Sequence, residues 1–114
     1  MAENMVILSR TFDFTKWIVQ VTANFPKNQR FVITKRLQDA TLDFYESIIQ
    51  ANQGMRSKRF SQLKTADSYL EIARHYIRLS HQMGWLSDGQ YLHGSKAVAE
   101  IGRLLGGWIK QSAS

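Results

Sequence analysis

The stretch Leu63-Lys64-Thr65-Ala66-Asp67-Ser68-Tyr69-Leu70-Glu71-Ile72-Ala73-Arg74-His75-Tyr76-Ile77-Arg78-Leu79-Ser80 decides the fold class. Leu63, Ala66, Leu70, Ala73, Ile77 and Ser80 recur three and four residues apart, which places them on one stripe of an α-helix. The seven-residue repeat suits near-parallel packing against a second helix. The pattern predicts a helix over roughly 57–83, closed by Gly84.

Outward from it, the same spacing continues in both directions. Upstream, Ile33, Leu37, Ala40, Phe44 and Ile48 predict a helix over roughly 28–52, stopped by Asn52-Gln53-Gly54. Before that, Phe14, Trp17, Ile18, Val21 and Phe25 predict a shorter helix over roughly 11–24, and Pro26 ends it by forcing Phe25 out of helical geometry. Downstream, Ser87 and Gln90 have capping-box spacing for a helix over 88–111 with the seam Tyr91, Gly94, Val98, Ile101, Leu105 and Trp108. Amphipathic helices joined by connections of about 3 to 6 residues pack as antiparallel neighbours. The expected architecture is all-α, an up-down-up-down four-helix bundle in a single domain spanning 1–114.

Composition bounds the chemistry. The 114 residues are 44% hydrophobic, enough to close one core, and contain no cysteine, which excludes disulfides and thiolate metal sites. The N-terminus has an acid, Glu3, where a secretory signal has Lys or Arg, and no apolar stretch approaches the roughly 20 residues of a membrane span. A soluble, cytoplasmic protein is expected. His75, His81 and His93 are scattered, the acids Asp39, Asp43 and Glu46 read as a solvated face of helix 2, and no nucleophile motif or phosphate-binding glycine loop occurs. No catalytic residue, metal or cofactor is expected, so the chain reads as a binding protein and not an enzyme.

The formal net charge of +6 points to anionic partners. Lys27, Arg30, Lys35 and Arg36 are expected in the first turns of helix 2, with Arg74 and Arg78 one turn apart late in helix 3. Antiparallel packing brings those two ends to one pole, where six cations could converge on phosphates, joined by His81 at low pH. Arg56, Lys58 and Arg59 mark the opposite pole. Helix 4 also carries a stripe of small residues, Ser95, Ala99, Gly102 and Gly106. Such a stripe implies close packing by a neighbouring helix or subunit, with Trp108 beside it in the seam.

Two stretches, Asn24-Phe25-Pro26-Lys27-Asn28-Gln29-Arg30-Phe31 and Glu100-Ile101-Gly102-Arg103-Leu104-Leu105-Gly106-Gly107-Trp108, together with Leu86-Ser87 leading into Gln90-Tyr91, resemble the accessory variability determinant (Avd) proteins of diversity-generating retroelements. The Phe-Pro-Lys element is shared with the wider four-helix-bundle family related to the ribosomal RNA intervening-sequence protein. The Ile-Gly-Arg-Leu-Leu-Gly-Gly-Trp stretch is the more discriminating, and Ser47-Ile48-Ile49-Gln50-Ala51-Asn52 replaces the Asn-Ile-Ala-Glu-Gly type of sequence usual in that wider family. The resemblance implies a homopentamer of four-helix protomers. It also implies binding to the element's reverse transcriptase and template RNA, or its complementary DNA, in support of mutagenic cDNA synthesis. Arg74 and Arg78 match an Arg pair in helix 3 of that family, whereas a basic C-terminal extension is missing here. The alternatives are a purely structural oligomerising bundle and an rRNA-associated bundle with no polymerase partner.

Overall fold

The stripe read from residues 63–80 is the inner edge of the longest helix, and Leu63, Ala66, Leu70, Ala73, Ile77 and Ser80 are all buried. The computed structural model describes residues 2–113. These form α1 (Ala2–Thr22), a 3-10 turn (Lys27–Gln29), α2 (Ile33–Gln53), α3 (Arg56–Gln82) and α4 (Asp88–Ser112), with no strand among the described residues. Helices of 21 to 27 residues are about 31 to 40 Å long at 1.5 Å per residue. That matches the 44 Å long axis of the molecule. Each helix packs on its two neighbours in the cyclic order α1, α2, α3, α4, and the diagonal pairs make no close backbone approach. With short connections this is the expected antiparallel four-helix bundle.

The connections follow from their residues. Gly54 and Met55 alone separate α2 from α3, and the Gly54 N–H donates to the Gln50 carbonyl at 2.8 Å. A Cβ at Gly54 would lie 2.8 Å from that same oxygen, so a side chain there would push the corner open. α3 ends in a Schellman arrangement: Trp85 N–H donates to the Ser80 carbonyl and Gly84 N–H to the His81 carbonyl, with Gly84 at φ +80°. Ser87 then caps α4 reciprocally. Its Oγ accepts from the Gln90 N–H and its own N–H donates to Gln90 Oε1.

Phe14, Ile18, Phe44, Ile48, Val98, Ile101, Leu105 and Trp108 fill the core with the α3 stripe. Full burial of one such large side chain contributes about 1.5–3 kcal/mol. Three buried threonines bond back into their own helices, Thr15 to the Thr11 carbonyl, Thr22 to the Ile18 carbonyl and Thr41 to the Leu37 carbonyl, whereas the buried hydroxyls of Thr11 and Thr34 have no partner among the described residues. Gln38 donates to Thr22 Oγ1 at 2.9 Å and ties α2 to α1.

Two helix starts differ from the sequence reading. α1 begins nine residues earlier than Thr11, at Ala2, and is as long as α2. Its seam runs through Ile7 and the fully buried Thr11, whose hydroxyl interrupts the apolar pattern without interrupting the helix. α2 begins at Ile33, not at Asn28, after a break at Val32 (φ −121°, ψ −100°). Residues 28–32 have nothing to bury, since Phe31 is 79% exposed and Val32 is exposed too. Lys27 therefore lies in the 3-10 turn and Arg30 caps it, off the helix to which both were assigned.

Candidate nucleic-acid interface

Each side of the bundle has its own chemistry, because the residues beside each helix's core stripe differ. On the α1–α2 side, Met5, Phe12 and Val19 repeat every seven residues along α1 and are exposed, with Leu42 of α2 also exposed. Phe12 meets Tyr45 edge to face at 6.4 Å between centroids. On the α4–α1 side, Arg10 pairs with Glu100 at 2.9 Å, and Asp13, His93 and Lys96 line a shallow polar furrow.

The flanks of α3 carry the predicted site residues. Towards α4, Glu71, Arg74 and Arg78 form one wall of a groove of about 530 Å³, with Tyr91, Ala99 and Gly102 on the other wall and Leu70, Ile77 and Val98 in its floor. Small residues on α4 keep that second wall low. The stripe Ser95, Ala99, Gly102 therefore opens a groove within the protomer, and no helix of the same protomer packs closely on it. A Cβ at Gly102 would make only ordinary contact with Leu70, and one at Gly106 would meet nothing within 4 Å. The glycine that a helix does approach closely is Gly94, where a Cβ would lie 2.8 Å from Trp17 Cη2. Trp108 packs into the bundle core.

Towards α2, Tyr69, Ile72 and Tyr76 line a second groove of about 680 Å³ with Phe31, Lys35 and Arg36. The expected convergence of six cations is thus corrected. Arg74 and Arg78 share one groove, Lys35 and Arg36 share another on the opposite flank of α3, and Lys27 and Arg30 line neither. His81 does not join a free basic surface either. Its Nε2 lies 2.8 Å from Asp88 Oδ1, and its ring stacks on Tyr91 at 4.2 Å and 2°.

Charge at these positions is further divided by pairing. Lys35 bonds Asp39 one turn on. The Arg74 Nε donates to Glu71 Oε1 at 3.2 Å and its Nη2 to Glu71 Oε2, a fork-on-fork pair, and His75 Nε2 lies 3.5 Å from the same carboxylate. The Arg74 hydrogen bonds, partly opposed by loss of solvation and supplemented by the charges of Arg74 and His75, hold the Glu71 carboxyl below the ordinary glutamate range. Arg78 and Arg36 have no acid partner among the described residues. Among the described residues only Arg10, Lys35 and Arg74 of the fifteen basic residues pair with acids. Asp39, Asp43 and Glu46 are exposed along α2, as expected of a solvated face.

Sequence reasoning passed over two features. Glu71 stands three residues before Arg74, the spacing of a helical ion pair. Ile72, Tyr76, Leu79 and Met83 form a second stripe on α3, and three of them are exposed. No group of three or more His, Cys, Asp or Glu that could hold a metal ion occurs among the described residues. None of the described helices is long and apolar enough to cross a membrane.

A family model described as bAvd-like matches residues 5–112. Among curated proteins none matches. A solved structure of a protein of unknown function from the S23 ribosomal protein family of Bacteroides thetaiotaomicron is similar, at 21% identity and a TM-score of 0.86, covering 95% of this chain and 98% of that one. That likeness is one of fold.

Proposed function

The chain belongs to the bAvd-like family, and from that premise we propose that it is a non-catalytic accessory subunit that holds a reverse transcriptase and its template RNA together during mutagenic cDNA synthesis in the cytoplasm. Its resemblance to Avd proteins supports the choice of partners. The observation that carries the reading is Arg78, a guanidinium without an acid partner, set beside Arg74 in an open groove on a chain of net charge +6. Cations so placed displace counterions from a phosphate backbone and bind it with little regard to sequence. Lys27, Arg30, Lys35 and Arg36 add positive potential at the same pole without sharing that groove. An adaptor of this kind works by raising effective concentration, and the chemistry stays with the polymerase.

The uncovered apolar strips support self-association. Met5, Phe12, Val19 and Leu42 lie on one side and Ile72, Leu79 and Met83 on another. Two unlike patches on one protomer suit a heterologous contact, which closes into rings when the rotation allows. A homopentamer is the ring that the Avd resemblance implies. The same strips favour a second reading, a scaffold that oligomerises and binds no RNA.

Binding of template RNA by fluorescence anisotropy between 50 and 200 mM salt separates the two. The adaptor is expected to lose affinity steeply with salt. Arg78→Ala is expected to flatten the slope of log K against log salt by about 0.7, the contribution of one phosphate contact to a single strand. Salt-independent or absent binding by the folded oligomer would leave the scaffold. Co-purification with a retroelement reverse transcriptase tests the second partner.

A further inference from the structure

The α3–α4 groove contains two arginines of unequal standing. Arg74 is held by both oxygens of Glu71, whereas Arg78, one turn further along the same wall, has no acid partner among the described residues. Asp67, one turn before Glu71, faces the same groove, so the full charges lining it cancel unless His75 is protonated. We propose that Glu71 is a built-in competitor for the anion, sequestering Arg74 so that this groove offers a polyanion one phosphate contact and not two. This deepens the RNA-binding reading above and rests on it.

The physical argument is one of exchange. A phosphate that approaches Arg74 meets a guanidinium whose Nε and Nη2 already donate to a carboxylate, and the carboxylate repels it. Both side chains are about half exposed, at 59% and 52%, so the pair itself is weak in water and can be displaced. Displacement, however, trades one ionic contact for another and leaves Glu71 as an uncompensated negative charge beside the strand. The pair is therefore electrostatically close to silent towards a polyanion, while Arg78 displaces a counterion from the phosphate it meets. His75 Nε2 lies 3.5 Å from the same Glu71 carboxylate on the next turn, beside Arg74.

A set of charge variants tests this, with a single-stranded RNA oligonucleotide as probe and the salt slope of its binding as readout. Glu71→Gln is expected to free Arg74 and steepen the slope by about 0.7, strengthening binding at 50 mM relative to 200 mM salt by about threefold over the parent. The paired variant Glu71→Gln/Arg74→Gln is expected to restore the parent slope, because it removes a silent pair. Asp43→Asn, which removes an acid from the other groove, controls for net charge and is expected to leave the slope unchanged. Thermal melts confirm that each exposed substitution leaves the bundle folded. If the paired variant flattens the slope as much as Arg78→Ala does, Arg74 contacts phosphate despite Glu71 and the proposal is overturned, with the groove still the binding site. If the parent binds RNA steeply and neither Glu71→Gln nor Arg78→Ala moves the slope, the groove itself is not the site.

Discussion

Replacing Gly94 with alanine should cost stability even though alanine is the better helix former. The added Cβ would lie 2.8 Å from Trp17 Cη2 and 3.0 Å from Cζ3, and 3.7 Å from Ile77 Cγ2. The indole must therefore retreat by several tenths of an ångström. It has little room, being packed between Phe14, at 6.3 Å between centroids, and His93, at 5.1 Å. Overpacking of a rigid ring costs about 1–3 kcal/mol, against a gain of about 1 kcal/mol from helix propensity. The net expectation is a loss of about 1 kcal/mol, or roughly 4 °C in Tm for a domain of this size. Gly106→Ala is the internal comparison, because its Cβ meets nothing within 4 Å and the same propensity gain should appear unopposed, raising Tm. Urea unfolding followed by circular dichroism reads both, and Trp17→Leu should abolish the penalty of Gly94→Ala by vacating the contact. The reasoning is refuted if the two glycine substitutions shift stability in the same direction and by the same amount, or if removing the indole leaves the Gly94 penalty intact.

Ser87→Ala removes one half of the reciprocal cap on α4 and is expected to cost about 1 kcal/mol in the same urea assay. The Glu71 carboxyl should titrate by NMR below the ordinary glutamate range and return to it in Arg74→Gln. Because a depressed carboxyl favours the folded state above its unfolded pKa, that small contribution is present at neutral pH and is lost as pH falls through the folded value. The double substitution Phe12→Ser/Val19→Ser removes two of the exposed apolar side chains of the α1–α2 strip and should shift sedimentation towards smaller species while leaving helicity unchanged.

Most of the fold was legible because one residue class repeats without interruption. The α3 seam has an apolar or small residue at every third or fourth place, and all six of its members are buried. The Ser87 cap has a fixed spacing and needs only two residues to be recognised. Where the pattern was broken by a buried polar residue, at Thr11, the start of α1 was missed. Where a spacing signal had no burial behind it, at Asn28 to Val32, α2 was begun too early. The candidate site was legible only in part. Its cations were placed on the correct helices at Lys35, Arg36, Arg74 and Arg78, and the α3 seam even separates Glu71, Arg74 and Arg78 on one flank from Tyr69, Ile72 and Tyr76 on the other. Which flank faces α2 and which faces α4 depends on the hand in which the four helices are wound. No local periodicity encodes that, so residues that share a pole were taken to share a surface.

The tight corner at Gly54 has a kinetic side. Helices joined by two residues find each other with little loss of chain entropy, and α2 and α3 share the most extensive contact in the molecule. The hairpin 33–82 is therefore expected to form early, with the outer two helices condensing on it, and φ-values higher in α2 and α3 than in α1 and α4 would bear this out. The α2–α3 groove would then take its shape from the hairpin alone, whereas the α3–α4 groove is completed only when α4 docks.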